Sequence, residues 1–67
     1  MDEPILQFFA WDHLKPELQP VSKPFCDLAL KIVNTLPRNT ERTVALRKLL
    51  EAKDAAVRSA VMKSPQL

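Results

Sequence analysis

The longest regular pattern of apolar and polar positions lies in the C-terminal half of the chain. Apolar residues recur there at intervals of three and four, the spacing that puts side chains on one face of an α-helix. They are Ala45, Leu49, Ala52, Ala56 and Ala60, with Leu46, Leu50, Val57 and Val61 beside them. Asn39 can accept a hydrogen bond from a free N–H of the first turn, and Glu41 and Lys63 suit the two ends of the helix dipole. The pattern predicts one long second helix over residues 39–62.

A second helical pattern precedes it, over residues 16–36. Its apolar positions are Leu18, Val21, Phe25, Leu28, Ala29, Ile32, Val33 and Leu36. Pro20 and Pro24 interrupt its start, because each lacks an N–H and clashes with the carbonyl four residues back. We therefore expect a kinked first helix whose first part is a separate turn or a kinked segment, with regular helix from about Pro24 to Thr35 and Ser22 as the cap of the regular part. The short connection over 36–39 predicts an antiparallel two-helix hairpin.

An aromatic arm over residues 1–15 comes before the hairpin. The apolar run over 5–11 is too short to form a stable helix alone, so we expect an extended arm or a short turn. The arm either covers the core as a lid or offers its rings to a ligand. Phe8 and Phe9 are expected in the core or at a subunit interface, whereas Trp11 has more polar neighbours.

These elements predict an all-α fold in a single domain over residues 1–67. The chain has 67 residues and one cysteine, so no intrachain disulfide can stabilise it, and Cys26 is interpreted as a small buried side chain. The long helix also has a wider apolar face than one neighbour can cover. The sequence therefore predicts a symmetric homo-oligomer.

The chemistry that the sequence lacks is as informative as what it has. There is no glycine, hence no glycine-rich phosphate loop, and one His with one Cys cannot form a catalytic triad or a zinc site. We expect no enzyme activity, no cofactor and no metal ligand. The net charge is +2, and basic residues alternate with acids along the long helix, which argues against DNA or RNA as a partner. Acidic residues near the N-terminus and the lack of a long apolar run predict a cytoplasmic protein without a membrane partner.

Basic and hydroxyl side chains are densest at the bend and in the first turns of the long helix. They are Arg38, Thr40, Arg42, Thr43 and Arg47. Helix N-termini and guanidinium groups both bind phosphate, although the same residues would also serve as solubilising charges beside a cap. Arg42 and Arg47 point about 140° apart on a helix that turns about 100° per residue. The pattern therefore predicts that a phosphate site using both is shared between subunits.

The run from Pro37 to Ala52 resembles the shared helical hairpin of the phage sponge proteins that defeat the CBASS and Thoeris defences. That family carries the pattern Pro-x-Ser-Arg-Glu-Lys-Ser-x-Ala-Leu-Thr-Lys-Leu-Glu-Glu-Ala. This chain matches it identically at Pro37, Glu41, Ala45, Leu46, Lys48, Leu49, Glu51 and Ala52, and with similar chemistry at Asn39, Arg42 and Thr43. Thr40 stands where the family has Arg, and Arg47 where it has Thr. The family's aromatic residue, His and Pro correspond loosely to Trp11, His13 and Pro16.

The resemblance implies a phage protein of the host-cell cytoplasm that assembles as a symmetric oligomer, a hexamer in the anti-CBASS branch. It would bind and sequester a cyclic di- or trinucleotide without cleaving it. On this interpretation Arg38, Arg42 and Arg47 bind phosphates, and Thr40 and Thr43 hydrogen-bond to a phosphate or base. Trp11 or Lys23 would line a second pocket beside the arm. The alternative is a small helical protein–protein interaction module, a phage or host regulator with no nucleotide ligand.

Overall fold

A computed structural model describes residues 3–62, and it contains three helical elements. A 3₁₀ helix spans Pro4–Phe9, helix α1 spans Gln19–Thr35 and helix α2 spans Thr40–Val61. No β-strand occurs among these residues, so the predicted all-α class is confirmed. Lys63, predicted to favour the end of the second helix, lies outside the described residues. Within residues 3–62, neither long helix is apolar enough over a sufficient length to cross a bilayer.

Helix α2 begins and ends where the sequence predicts. The side-chain oxygen of Asn39 accepts a hydrogen bond from the backbone N–H of Arg42 at 2.9 Å, as expected of an N-cap residue. Glu41 lies in the first turn, and the helix ends at Val61, one residue short of the predicted end. The cap and the absence of any proline after Pro37 account for this agreement.

Helix α1 begins five residues earlier than the regular segment that we expected. A turn before it starts the helical hydrogen bonding, since the Lys15 carbonyl accepts the N–H groups of Leu18 at 2.8 Å and of Gln19 at 3.2 Å. Pro20 then lies in the first turn, where a missing N–H costs nothing. Pro24 lies inside the helix and removes a single backbone hydrogen bond. The expected start of regular helix at about Pro24 was therefore wrong, whereas the kink expected at the prolines stays a prediction.

The predicted cap of this helix was wrong for the same reason. Leu18 occupies the N-cap position, and no side chain caps the helix there. Ser22 lies within the helix and is fully buried. Its hydroxyl has no hydrogen-bond partner among residues 3–62.

Helices α1 and α2 pack against each other and are joined by residues 36–39, which forms the predicted hairpin. Leu36 and Asn39 have extended backbones at the two ends of this connection. Among residues 3–62 no backbone has a positive φ, so the chain turns without the conformation that favours glycine. The chain has no glycine to supply it.

The core is small and takes one residue from each helical element. Phe9, Ala29 and Leu46 are the buried apolar side chains within residues 3–62. Partly buried neighbours surround them, among them Ile5, Leu6, Phe25, Cys26, Ile32, Val33, Leu49 and Leu50. The segment that precedes the hairpin is thus a 3₁₀ helix rather than an extended arm, and it carries Phe9 into the core. Phe8 is 57% exposed and so lies outside the core of the single chain, and its alternative place at a subunit interface stays a prediction.

The apolar face of α2 is only partly covered in the single chain. Leu46 is buried and Leu49, Leu50, Ala56 and Val57 are partly buried, whereas Ala52, Ala60 and Val61 are exposed. Leu28 and Leu36, on and just after α1, are 46% and 48% exposed. The hairpin therefore leaves apolar surface of both helices in contact with solvent.

Candidate functional site

Arg42 connects three parts of the molecule. Its side chain is 5% exposed, and its guanidinium forms an ion pair with Glu3, with 2.7 Å between Nη2 and Oε2. The other terminal nitrogen donates hydrogen bonds to the carbonyls of Val33 at 3.1 Å and Leu36 at 3.4 Å, at the C-terminal end of α1. Carbonyls at a helix end lack partners within the helix and carry partial negative charge. Arg42 therefore has a structural role, which the sequence did not reveal.

The same Glu3 oxygen also forms an ion pair with Arg38. Arg38 Nη1 lies 3.1 Å from Oε2 of Glu3, and the two side chains are 65% and 8% exposed. One buried carboxylate oxygen therefore lies between an exposed and a buried guanidinium. A phosphate oxygen would be held in the same way by two such groups.

A cavity of about 200 Å³ opens beside this cluster. Its polar wall consists of Glu3, Arg38, Arg42, Thr43 and Arg47, and its apolar wall of Pro4, Ile5 and Leu46. We call it the arginine cavity. It brings together four of the five residues that the sequence predicts at the bend. Thr40, the fifth, is exposed and does not line it.

Arg42 and Arg47 line the arginine cavity of one chain, contrary to the argument from their helical spacing. That argument placed the two side chains about 140° apart, which would favour different subunits. The cavity is bounded by the N-terminal segment as well as by α2, so it reaches around the side of the helix. The spacing of Cα atoms on one helix could not predict this.

In the arginine cavity, the Thr43 hydroxyl makes a hydrogen bond with another described residue and the Arg47 guanidinium does not. The Thr43 hydroxyl donates to the Asn39 carbonyl at 3.3 Å, so it has lone pairs to offer but no second proton. Arg47 is exposed, and within residues 3–62 it makes no ion pair or hydrogen bond. Arg47 can therefore bind an anion without breaking an ion pair or hydrogen bond to another residue of 3–62.

Trp11 and Lys23, the residues predicted for a second pocket, lie next to each other. The Lys23 ammonium is 5.6 Å from the centroid of the indole ring, within range of a cation–π interaction. Lys23 also pairs with Asp27 at 3.1 Å on the surface of α1. Neither Trp11 nor Lys23 lines the arginine cavity. An aromatic face beside a cation is an arrangement that can stack on a nucleobase.

Sequence reasoning missed two features of the site. Glu3 gave no signal, because its partners Arg38 and Arg42 are far away in the chain. A second cavity of about 480 Å³ was also missed, because it joins the turn before α1 to the end of α2. It is lined mainly by His13, Leu14, Lys15, Leu18, Ala60 and Val61. Only the folded chain brings these segments together.

The remaining reactive side chains are placed as follows. Cys26 packs partly buried against the core, and this burial, followed by the nearby charge of Asp27, raises the pKa of its thiol. His13 is exposed. Residues 3–62 contain no group of three or more His, Cys, Asp or Glu side chains that could hold a metal ion.

Comparison of the chain with known protein families, curated proteins and solved structures found no match.

Proposed function

We propose that this protein binds a cyclic oligonucleotide through its phosphates and releases it uncleaved. The observation that carries the proposal is the arginine cavity, in which Arg38, Arg42 and Arg47 converge beside Thr43. Guanidinium groups form paired, charge-assisted hydrogen bonds to phosphate oxygens. The single carboxylate of Glu3 does not cancel the positive charge of three guanidinium groups.

The size of the cavity supports a site that is completed by a second subunit. At about 200 Å³ it is smaller than the roughly 300 to 1,000 Å³ of pockets that enclose a whole small molecule. It holds part of a nucleotide, and the rest of the ligand extends beyond it. The apolar residues left exposed on both helices provide the contact surface for the second copy, in a symmetric oligomer of up to six subunits.

Bases of the ligand require a different surface, for which Trp11 is suited. The Lys23 ammonium already lies over the Trp11 ring. A base could stack on the indole while its phosphate pairs with this ammonium. Thr40 is exposed at the start of α2, where it can contact the parts of a ligand that lie outside the cavity. Trp11 and Lys23 do not line the arginine cavity, so they would form a separate binding surface on the same chain.

Sequestration follows from mass action. A protein present in excess lowers the free concentration of a signal molecule when its dissociation constant lies below that of the effector that reads the signal. No bond has to be broken. A phage protein of this kind would protect an infecting phage in the host cytoplasm, as the resemblance of residues 37–52 to the sponge proteins implies.

A second candidate function is that of a protein–protein interaction module. Phe8, Leu28, Leu36 and Val61 are all more than 40% exposed, and exposed apolar surface is typical of sites that bind another protein. In that case the surface would bind a phage or host protein and the arginines would hold the fold together. Ligand binding distinguishes the two functions.

The test is a thermal melt with cyclic di-AMP, cyclic di-GMP and cyclic tri-AMP, followed by calorimetry on any nucleotide that raises the melting temperature. Arg47→Ala should weaken binding by roughly 1.5 to 3 kcal/mol, the cost of losing a charge-assisted hydrogen bond. Arg58→Ala removes the same charge from the other end of α2 and should leave affinity unchanged.

Chromatography of the recovered ligand must show it intact. A linearised product would show that the protein hydrolyses the ligand, which would overturn the proposal. If none of the three nucleotides binds, the interaction module is favoured instead.

A further inference from the structure

Resting on the proposed function, we propose that Glu3 is a tethered competitor, which an anion must displace in order to bind Arg38 and Arg42 in the arginine cavity. Its carboxylate occupies the position of a phosphate between Arg38 and Arg42. A ligand with one phosphodiester therefore only replaces an anion that is already bound. A ligand with two phosphodiesters replaces Glu3 with one and binds Arg47 with the other.

The geometry of Glu3 is that of a bound anion. Its side chain is 8% exposed, and Oε2 lies 2.7 Å from Nη2 of Arg42 and 3.1 Å from Nη1 of Arg38. The contact with Arg42 is a charge-assisted hydrogen bond, and the contact with Arg38 is an ion pair. Glu3 also lines the cavity, so a ligand that enters the cavity contacts this residue.

The tether makes Glu3 a strong competitor. It immediately precedes the 3₁₀ helix Pro4–Phe9, and Phe9 is fully buried in the core. The carboxylate therefore stays near the two guanidinium groups at an effective concentration on the order of millimolar or above. A single phosphodiester also carries one negative charge, so exchanging it for Glu3 leaves the electrostatic energy nearly unchanged.

Arg47 supplies binding energy that the exchange of the Glu3 carboxylate for one phosphodiester does not. It lines the same cavity and makes no ion pair or hydrogen bond with any residue of the described chain. A second phosphodiester on the same molecule reaches Arg47 without displacing a protein group. The net binding energy, and with it the preference for two phosphodiesters, therefore comes from Arg47, whereas the displacement of Glu3 costs both kinds of ligand the same.

The experiment compares ligands that differ in the number of phosphodiesters and share a base. Calorimetry with cyclic AMP against cyclic di-AMP, and with cyclic GMP against cyclic di-GMP, gives the preference for two phosphodiesters. We expect the wild-type protein to prefer a cyclic dinucleotide by about a hundredfold or more. In Glu3→Gln, affinity for the cyclic mononucleotide and for the cyclic dinucleotide should both rise by about tenfold or more. Glu51→Gln, the same charge change at an exposed acid of α2, should leave both affinities unchanged.

The outcomes separate this inference from the function on which it rests. If wild-type protein binds a cyclic dinucleotide and Glu3→Gln binds it with the same affinity, the role of Glu3 is overturned and the proposed function stands. If neither protein binds any of the four nucleotides, cyclic-dinucleotide binding itself is overturned, and the role of Glu3 with it.

Wild-type protein provides a second test, because Glu3→Gln also removes the ionic partner of buried Arg42 and can lower stability. Protein carrying isotope-labelled glutamate allows the Glu3 carboxyl group to be followed by NMR. Saturation with a bound cyclic dinucleotide should shift this resonance toward that of a solvent-exposed carboxylate such as Glu51. A Glu3 resonance that does not move on saturation would show that the ligand binds without displacing it.

Discussion

At the scale of single residues, Arg42 shows how one side chain serves both the fold and the candidate site. Its guanidinium contacts the last carbonyls of α1 and the buried carboxylate of Glu3. Removing one partner of a buried ion pair leaves the other without compensation. Arg42 is therefore unsuited to a simple test of binding, and Arg47 is the informative residue.

We predict that Arg42→Ala lowers the free energy of unfolding by about 3 kcal/mol or more, as expected when a buried ion pair loses one partner. Arg47→Ala, at an exposed position of the same helix, should change it by less than about 0.5 kcal/mol. Urea unfolding followed by circular dichroism measures both. Equal midpoints for the two variants would show that the contacts of Arg42 contribute little to stability.

The residues of the site were predictable as a group, but not their partners. Basic and hydroxyl residues close together in sequence at a helix N-terminus indicated an anion site, and four of them line one cavity. Glu3 could not be predicted, because its hydrogen bond to Arg42 joins positions 39 residues apart. Contacts between such distant positions depend on how the elements pack, and no local pattern of apolar and polar residues encodes that.

At the scale of elements, the ends of α2 were predictable and the start of α1 was not. The Asn39 cap and the proline-free run after Pro37 determine α2 locally. Pro20 and Pro24 misled the prediction of α1, because a turn anchored at Lys15 brings the first proline into the first turn of the helix. Whether a proline breaks a helix depends on where the helix begins, and here residues outside the apolar pattern decide that.

We predict that Asn39→Ala lowers the free energy of unfolding by about 1 kcal/mol, because the Arg42 N–H loses its acceptor at the N-terminus of α2. Asn34→Ala is the matched control, since Asn34 is exposed within α1. Chemical denaturation of both variants at one protein concentration checks this. A loss of stability in Asn34→Ala as large as in Asn39→Ala would contradict a specific capping role.

At the scale of the whole molecule, the core that residues 3–62 form is small for a chain that folds alone. Three buried apolar side chains among residues 3–62 are few for a domain, and chains below about 70 residues usually need a further source of stability. Leu28 and Leu36 remain almost half exposed. Covering them with further copies of the chain would supply the missing burial.

We predict that Leu28→Glu dissociates the oligomer, because a charge would be buried at the contact between subunits. Ala56→Glu is less informative, since Ala56 is already partly buried within its own chain. Light scattering gives the mass of wild-type and variant proteins, and circular dichroism shows whether helix content is kept. A wild-type protein that is folded and monomeric at micromolar concentration would remove the basis of this prediction.

The burial of Phe9 also has a consequence for the order of events in folding. The two long helices are adjacent in sequence, so they can pair at little cost in loop entropy, whereas Phe9 must reach Leu46 across the whole hairpin. We expect the hairpin to form first and the 3₁₀ helix to dock after the transition state. Phe9→Leu should then speed unfolding and leave the folding rate nearly unchanged in stopped-flow experiments at two protein concentrations. A slower folding rate would instead place Phe9 in the folding nucleus. On the expected pathway, the fully buried Phe9 ring is among the last parts of the core to lose contact with water.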